Sequence, residues 1–294
     1  MKSRRVITRR DLLKVSSITA GAWILSPVLQ TVSFASLNTQ KPTFRFAVAS
    51  DLHFGHSTLP FLNYIELLVL RLNEEKEKRL DAVVLNGDIT HDSTTAPKAL
   101  QTNLLSKLAT PYYAVKGNHD FVSEQESWEK AWGYPRNHVV VKDDLAFILA
   151  DTTVSRQSKQ YLPADVLWLK QQLSALKSMK MVFVFMHIAQ RKHGVQGWPM
   201  GGLGRYKGQD TEAGEAVMAL LELYDNVKAV FHGHNHNATG VYISGGKPYC
   251  FDSHVGGWFG NAVGYRVVEV YPNDTIATYQ YAMENRSILN QHTF

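Results

Sequence analysis

The chain has 294 residues, of which 45% are hydrophobic and 19% are charged, a composition typical of a globular protein with a sizeable core. The formal net charge is +5, but residues 1–35 hold six basic residues and one acidic residue. The remainder has 25 residues of each sign, so composition indicates no basic surface, and we expect no stable nucleic-acid partner.

The N-terminal residues have the order of an export signal. Basic residues come first, an apolar stretch follows over residues 15–32, and Ser33-Phe34-Ala35 places small residues before a cut site. Residues 8–14, which contain Arg9-Arg10, resemble the bacterial twin-arginine signal. We therefore predict a twin-arginine signal peptide over residues 1–35, the twin-arginine export machinery as a partner, and a periplasmic or secreted location.

An uncleaved membrane anchor is the alternative for this segment. Pro27 and several Ser and Thr residues make the apolar stretch weak for a span of about 20 residues. Residues 36–42 are predicted to form a linker, and residues 43–294 a single domain without a membrane span. Cys250 is the only cysteine, so an intramolecular disulfide is excluded.

The first half of this domain alternates strands and helices. Strands are predicted at Phe44–Ala49, Ala82–Leu85 and Tyr112–Val115, and apolar residues at helical spacing predict helices at Leu59–Arg79 and Pro97–Leu108 between them. This alternation favours parallel pairing of the strands.

The second half is more varied. A hairpin is predicted over residues 139–149, and the helices Pro163–Lys177 and Thr211–Tyr224 alternate with the strands Met181–Phe185 and Ala229–Phe231. The residues that follow read as strands joined by Gly-rich and Pro-Asn-Asp turns. The layout predicts two packed sheets with helices outside them.

Five short motifs each follow a predicted strand. They are Asp51-Leu52-His53, Gly87-Asp88, Gly117-Asn118-His119-Asp120, His187 and Gly233-His234-Asn235-His236. Because the carboxyl ends of parallel strands meet at one edge of a sheet, we expect these motifs to converge. Their oxygen and imidazole donors suit Zn²⁺, Mn²⁺, Fe or Ni²⁺. Seven such ligands are more than one tetrahedral ion can bind, and they match two ions about 3.5–4 Å apart. Pairs of ions at this distance recur in enzymes that catalyse displacement at phosphorus.

The chemistry of single residues supports this interpretation. Asp51 and His53 are alternate residues, so their side chains can face the same way. Asp88 ends an apolar strand, where an unpaired carboxylate would be costly without cations. His234 and His236 are two residues apart and can reach two adjacent ions.

The third motif combines a ligand with a proton donor. Asn118 offers a neutral carbonyl oxygen, which limits the negative charge of the site. His119 is a candidate proton donor, and Asp120 is a candidate for orienting it, as carboxylates beside catalytic or ligating histidines often do.

The ordered series resembles the calcineurin-like metallophosphoesterases, whose signature is D-x-H, G-D, G-N-H-[D/E], H and G-H-x-H. Every signature position is filled between Ser50 and His236. The resemblance implies an α/β fold, a four-layer α-β-β-α sandwich of two mixed β-sheets flanked by helices. It also implies ligand roles: Asp51, His53 and His236 for the first metal, Asn118, His187 and His234 for the second, and Asp88 as the bridge. His119 would contact the phosphate and protonate the leaving oxygen.

Within this family, the motifs resemble those of the bacterial cyclic-nucleotide phosphodiesterase-like branch. Purple acid phosphatases instead place a Tyr ligand three residues after the G-D aspartate, where this chain has His91. A tyrosinate–iron site is therefore not expected.

Other polar residues are candidates for substrate contact. His56 and His91 follow metal motifs closely, and His254 lies in a region that can return to the site. The segment 188–210 follows His187 and is predicted to recognise phosphate or a base; its candidate residues are Arg191, His193, Trp198 and Arg205. The alternative is a solvated loop with one buried Trp. His232 is expected to be a packed side chain.

The sequence thus predicts an exported phosphoesterase with two divalent or trivalent ions (Mn, Fe, Zn or Ni) that hydrolyses a small phosphodiester or phosphomonoester substrate. The expected reaction is attack by a metal-bound hydroxide, with His119 as the proton donor. The alternatives are a non-catalytic metal-binding module on the same fold, or a nuclease.

Overall fold

The computed structural model describes residues 40–58, 60–92, 95–120, 128–153, 162–190, 211–252, 254–257, 260 and 262–294. The predicted signal peptide therefore lies outside the described residues, as do four of the candidate substrate contacts, Arg191, His193, Trp198 and Arg205.

Twelve strands are assigned within the described residues. They are β1 (Phe44–Ala49), β2 (Ala82–Asn86), β3 (Tyr112–Val115), β4 (His138–Lys142), β5 (Leu145–Ala150), β6 (Met181–Met186), β7 (Val227–His232), β8 (Gly240–Ser244), β9 (Lys247–Phe251), β10 (Gly264–Val270), β11 (Ile276–Ala282) and β12 (Ser287–Thr293). The α-helices are α1 (Phe61–Glu77), α2 (Ala96–Asn103), α3 (Trp128–Trp132), α4 (Val166–Ala175) and α5 (Thr211–Glu222), and a 3₁₀ turn covers Leu105–Lys107.

The strands form two mixed sheets of six strands each. The first sheet has the order β12-β11-β10-β1-β2-β3, with β1, β2 and β3 parallel and β10 to β12 antiparallel. The second has the order β4-β5-β6-β7-β9-β8, in which β5, β6, β7 and β9 are parallel and the two outer strands are antiparallel.

The sheets pack face to face, because the buried side chains of each strand alternate between two cores. Phe46 and Val48 of β1 join an inter-sheet core that also contains Phe147, Phe183 and other residues of the second sheet. Ala47 and Ala49 of β1 face the core under α1, α2 and α3 instead. A third core packs α4 and α5 against the outer face of the second sheet. This arrangement confirms the predicted four-layer α-β-β-α sandwich.

The structure also corrects the predicted elements. Each predicted helix has a counterpart whose ends differ by a few residues, and the second is shorter because a 3₁₀ turn replaces its last turn. The short helix α3 and the edge strand β12 were not predicted; β12 is largely exposed and lacks the apolar alternation that marks a strand. Among the described residues, no helix is both long and apolar enough to span a bilayer.

Candidate metal centre

The loops after β1 and β2 adopt an unusual backbone. Asp51, His53 and Asp88 have φ angles of 56°, 49° and 46°. These values lie in the left-handed region of backbone conformation, which residues other than Gly rarely adopt. The two loops are joined by hydrogen bonds of 2.9 Å from the Asp51 N–H to the Gly87 carbonyl and from the His53 N–H to the Asp88 carbonyl. His234, after β7, has a φ of 65°, so four of the predicted ligands have strained backbone, as is common at functional sites.

A first cluster joins the two sheets at Asp51, His53 and His236. All three side chains are buried, and their ligand atoms lie within 4.8 Å of one another. The Nε2 atom of His236 is 3.1 Å from Asp51 Oδ1 and 3.3 Å from His53 Nε2. Three donor atoms thus point to one small volume, as a shared cation requires.

A second cluster contains Asp88, His187 and His234, with ligand atoms again within 4.8 Å of one another. His187 is fully buried, and its Nδ1 lies 2.7 Å from the carbonyl oxygen of Asn86, which can only accept a hydrogen bond. The Nδ1 atom therefore carries a proton, and Nε2 is turned to Asp88 Oδ2 at 3.2 Å. Fixing a ligating His through its other nitrogen is common at metal sites.

Asn118 supplies a test of whether these residues fit a cation. Its Oδ1 atom is buried and has no hydrogen-bond partner among the described residues. A buried carbonyl oxygen without a donor costs free energy, which a cation would offset. The ligand atoms of the two clusters, from two carboxylates and four imidazoles, suit transition-metal ions. The residues present therefore fit metal ions at this edge of the molecule.

The pKa values of the clustered side chains respond to burial and to one another. Burial lowers the pKa of His53 to about 3 and that of His234 to about 4, which leaves neutral imidazoles as donors. Burial also opposes ionisation of Asp51 and Asp88, but His187 outweighs it and holds both pKa values below the ordinary range. The two carboxylates in turn overcome burial and raise the pKa of His187 to about 9.

His119 stands at the rim of the clusters. Its side chain is 26% exposed, and its Nδ1 lies 3.3 Å and 3.4 Å from the two carboxylate oxygens of Asp92. Its backbone N–H donates to Asp88 Oδ1 over 2.7 Å, which holds the loop beside the clusters. Asp92 was not predicted as a site residue; its position one residue after His91 and four after Asp88 was the available signal.

The structure corrects the role that we predicted for Asp120. Its Oδ1 accepts from the N–H and hydroxyl of Thr90, and its Oδ2 accepts from the N–H of Gly117. Because both oxygens are occupied by the loops that carry the motifs, Asp120 joins those loops, and Asp92 is the carboxylate on the His119 ring. Burial raises the pKa of Asp120 to about 6.

The remaining predicted histidines lie close to these clusters. The His91 ring stacks on His119 at 4.5 Å and contacts His56 at 4.2 Å. His254 is buried and stacks on His236 at 4.8 Å, and its chain pairs with Ser50 through a parallel bridge, so that region does return to the site.

His232 is a packed side chain, as expected. It is buried, and its Nδ1 lies 3.0 Å from the carbonyl oxygen of Met186 on the neighbouring strand.

Comparison with known proteins agrees with this geometry. The probable glycerophosphodiester phosphodiesterase GpdQ of Arcobacter nitrofigilis is 29% identical over 178 residues, which cover 58% of this chain and 62% of that protein. A 3′,5′-cyclic-nucleotide phosphodiesterase of a Nostoc species is 24% identical over 203 residues, covering 67% and 73%. The chain thus spans less than two thirds of the Arcobacter relative.

A solved structure supports the fold alone. A dimetal phosphatase from Danio rerio superposes with a TM-score of 0.61 at 14% identity, covering 86% of this chain and 98% of that one.

Residues 44–238 match the family described as Calcineurin-like phosphoesterase, a range that includes every predicted ligand. The chain therefore belongs to the calcineurin-like phosphoesterase family.

Proposed function

We propose that this protein is an exported phosphodiesterase that holds two metal ions and hydrolyses small phosphodiesters. The observation that carries the proposal is the pair of buried ligand clusters at one edge of the sheets, each with a carboxylate and two imidazoles. The names of the two relatives, both phosphodiesterases, support a diester rather than a monoester as substrate.

The ligands divide between two ions. The first cluster would hold one ion, and the second cluster with Asn118 would hold the other. Asp88 is proposed as the bridge, and it lies close enough to His53 of the first cluster and His187 of the second to shift the pKa of both. When bound, the two ions would supply Lewis acidity to the phosphoryl oxygens and lower the pKa of water.

The protein residues supply the remaining steps. The Asp92 carboxylate accepts the Nδ1–H of His119, which stabilises the protonated ring and directs Nε2 away from Asp92. His119 then protonates the leaving oxygen, and acid catalysis of this kind contributes about 10²–10⁴-fold to the rate. The partial exposure of His119 leaves room for substrate at the rim.

Metal content and substrate preference test the proposal together. The purified protein, saturated in turn with Mn²⁺, Zn²⁺ and Ni²⁺, should bind two ions per chain. With the most active ion, we expect kcat/KM for a glycerophosphodiester or a 3′,5′-cyclic nucleotide to exceed that for an aryl monophosphate by at least about tenfold, or about 1.4 kcal/mol of transition-state binding.

Three outcomes would contradict the proposal. One ion per chain at saturation would refute the paired centre, and a preference for the monophosphate would make the protein a phosphatase. Faster cleavage of duplex DNA, with the steep salt dependence of an extended contact, would favour a nuclease.

Export is tested separately, through the paired arginines. We expect Arg9→Lys with Arg10→Lys to retain the protein in the cytoplasm, because the pathway reads the pair and not its charge alone. Arg4→Lys with Arg5→Lys makes the same charge-preserving substitution at a nearby pair and should leave export intact. Normal export of the first double variant would refute the twin-arginine signal.

A further inference from the structure

His53 makes a second contact on the side of its ring that faces away from the first cluster. Its Nδ1 lies 3.0 Å from Nδ1 of His91, and the two rings meet edge to face with centroids 5.1 Å apart. Its Nε2 lies 3.3 Å from His236 Nε2 and 4.0 Å from Asp51 Oδ1. The two nitrogens of one imidazole thus have different tasks.

The direction of the bond between the two histidines follows from this arrangement. A histidine binds a metal ion through an unprotonated nitrogen. If Nε2 of His53 is that nitrogen, the proton of the neutral ring must lie on Nδ1. His53 therefore donates its Nδ1–H, and His91 Nδ1 accepts it. In the opposite direction His53 would carry its proton on Nε2, which would exclude it from the first ion.

The proton of His91 is then placed as well. A neutral His91 that accepts at Nδ1 carries its own proton on Nε2. That atom lies 3.8 Å from Asp92 Oδ2, so the N–H faces a carboxylate.

The same residues suggest a competing arrangement. Ligand atoms of His91, Asp92 and His119 lie within 4.8 Å of one another, as a third ion at the rim would require. A neutral imidazole has one unprotonated nitrogen. His91 cannot use this atom both to bind an ion and to accept the hydrogen bond from the His53 N–H. The 3.0 Å contact to His53 is already formed, so the geometry favours the hydrogen bond.

We infer that His91 is a positioning residue that accepts the Nδ1–H of His53 and so keeps His53 Nε2 available to the first metal ion. This inference rests on the proposed two-metal function. It replaces the substrate contact predicted for His91, and it confines the effect of His91 to the first cluster, because the ligands of the second are held by other groups such as the Asn86 carbonyl.

The test compares variants that differ in their acceptor. His91→Phe keeps a ring to stack on His119 but removes the acceptor, whereas His91→Asn places an amide oxygen near the former Nδ1. We expect His91→Phe to weaken one of the two ions by about 10–100-fold in a chelator competition titration, the usual effect of losing such a partner. The affinity of the other ion should stay unchanged, and His91→Asn should restore most of the loss.

His56→Phe is the matched control, because His56 also contacts the His91 ring, while its hydrogen bonds to Thr58 lie away from the clusters. It should bind both ions as the wild type does. In zinc-loaded protein with ¹⁵N-labelled His, the His53 proton should be found on Nδ1, coupled to its own ring nitrogen.

The outcomes separate the inference from the function beneath it. Fewer than two ions in the wild type would refute the paired centre itself. Two ions in the wild type, with unchanged affinities in His91→Phe, would overturn only the role of His91. A His53 proton on Nε2 would overturn that role and would also remove His53 Nε2 from the ligands of the first ion. A third ion that is lost in His91→Phe would establish the rim site instead.

Discussion

The metal-ligand clusters and the loop that carries His119 meet at one edge of the molecule, but they are held in different ways. The clusters depend on hydrogen bonds between the two sheets. The N–H of His234, after β7, donates to Asp51 after β1 over 3.0 Å, and the carbonyl of Asn86 in β2 accepts from His187 after β6. Each sheet therefore fixes the orientation of ligands that the other contributes.

The motif of the His119 loop is held by hydrogen bonds to residues that follow strands of the first sheet. Its backbone is held by Asp88, which accepts the His119 N–H, and by Asp120, which accepts from Gly117 and Thr90. Metal binding therefore requires the two sheets to be packed in register, whereas the hydrogen bond that holds the His119 backbone comes from the first sheet. Substitutions should therefore separate metal loading from acid catalysis.

Asp88→Asn should have the largest effect, because Asp88 belongs to both regions. The substitution removes the charge that faces His187 at 3.2 Å and weakens the acceptor of the His119 N–H. We expect metal content to fall and activity to drop below detection, measured by elemental analysis and by diester hydrolysis. Asp165→Asn is the control for the same chemical change elsewhere in the chain. Asp165 caps α4 and lies outside the five motifs, and Asn can also cap a helix. Two ions and residual activity in Asp88→Asn would refute the bridging role.

His119→Asn should affect acid catalysis by the His119 loop and leave the metal-ligand clusters unchanged. We expect both ions to remain, and the rate for diesters with poor leaving groups to fall by about 10²–10⁴-fold. A nitrophenyl diester is the internal control, because its leaving group needs little protonation and should lose much less. Equal losses for both substrates, with metal content intact, would show that His119 does not act as the acid.

The sequence predicted the ligands better than the contacts among them. Asp51, Asp88 and His187 each follow an apolar strand, so their convergence at one sheet edge follows from topology alone. The pairing of Asp92 with His119 could not be predicted in this way, because it depends on the path of a loop with left-handed backbone at Asp92 itself, where φ is 48°.

The same limit explains the other corrections. Asp120 was predicted to orient its neighbour His119, but its oxygens instead accept two hydrogen bonds from Thr90 in another loop and one from the Gly117 N–H in its own loop. The His53–His91 contact joins residues 38 apart and carries no spacing signal. Contacts of this kind are fixed by packing and not by local sequence.

Gly233→Ala should have the smallest effect, and this effect should be confined to the metal-ligand clusters. Gly233 follows β7 where the second sheet approaches the loop after β1, and an added Cβ would overlap Ser50 Oγ and lie 2.7 Å from Asp51 Oδ2 and 2.9 Å from His187 Nδ1. Because these neighbours are buried, they can yield only by shifting ligands of both clusters. We expect unfolding free energy to fall by about 1–3 kcal/mol, the usual cost of overpacking, together with weaker metal binding.

Gly133→Ala is the control for this variant, because its φ of +83° strains any side chain but no atom lies within 4 Å of an added Cβ. It should lose stability in chemical denaturation without losing metal affinity. In Gly233→Ala, the leaving-group dependence at saturating metal should match that of the wild type, because the His119 loop is held by the first sheet. If Gly233→Ala instead binds both ions normally and alters the leaving-group dependence, the two regions are not built independently, and the cross-sheet contacts must also position the acid.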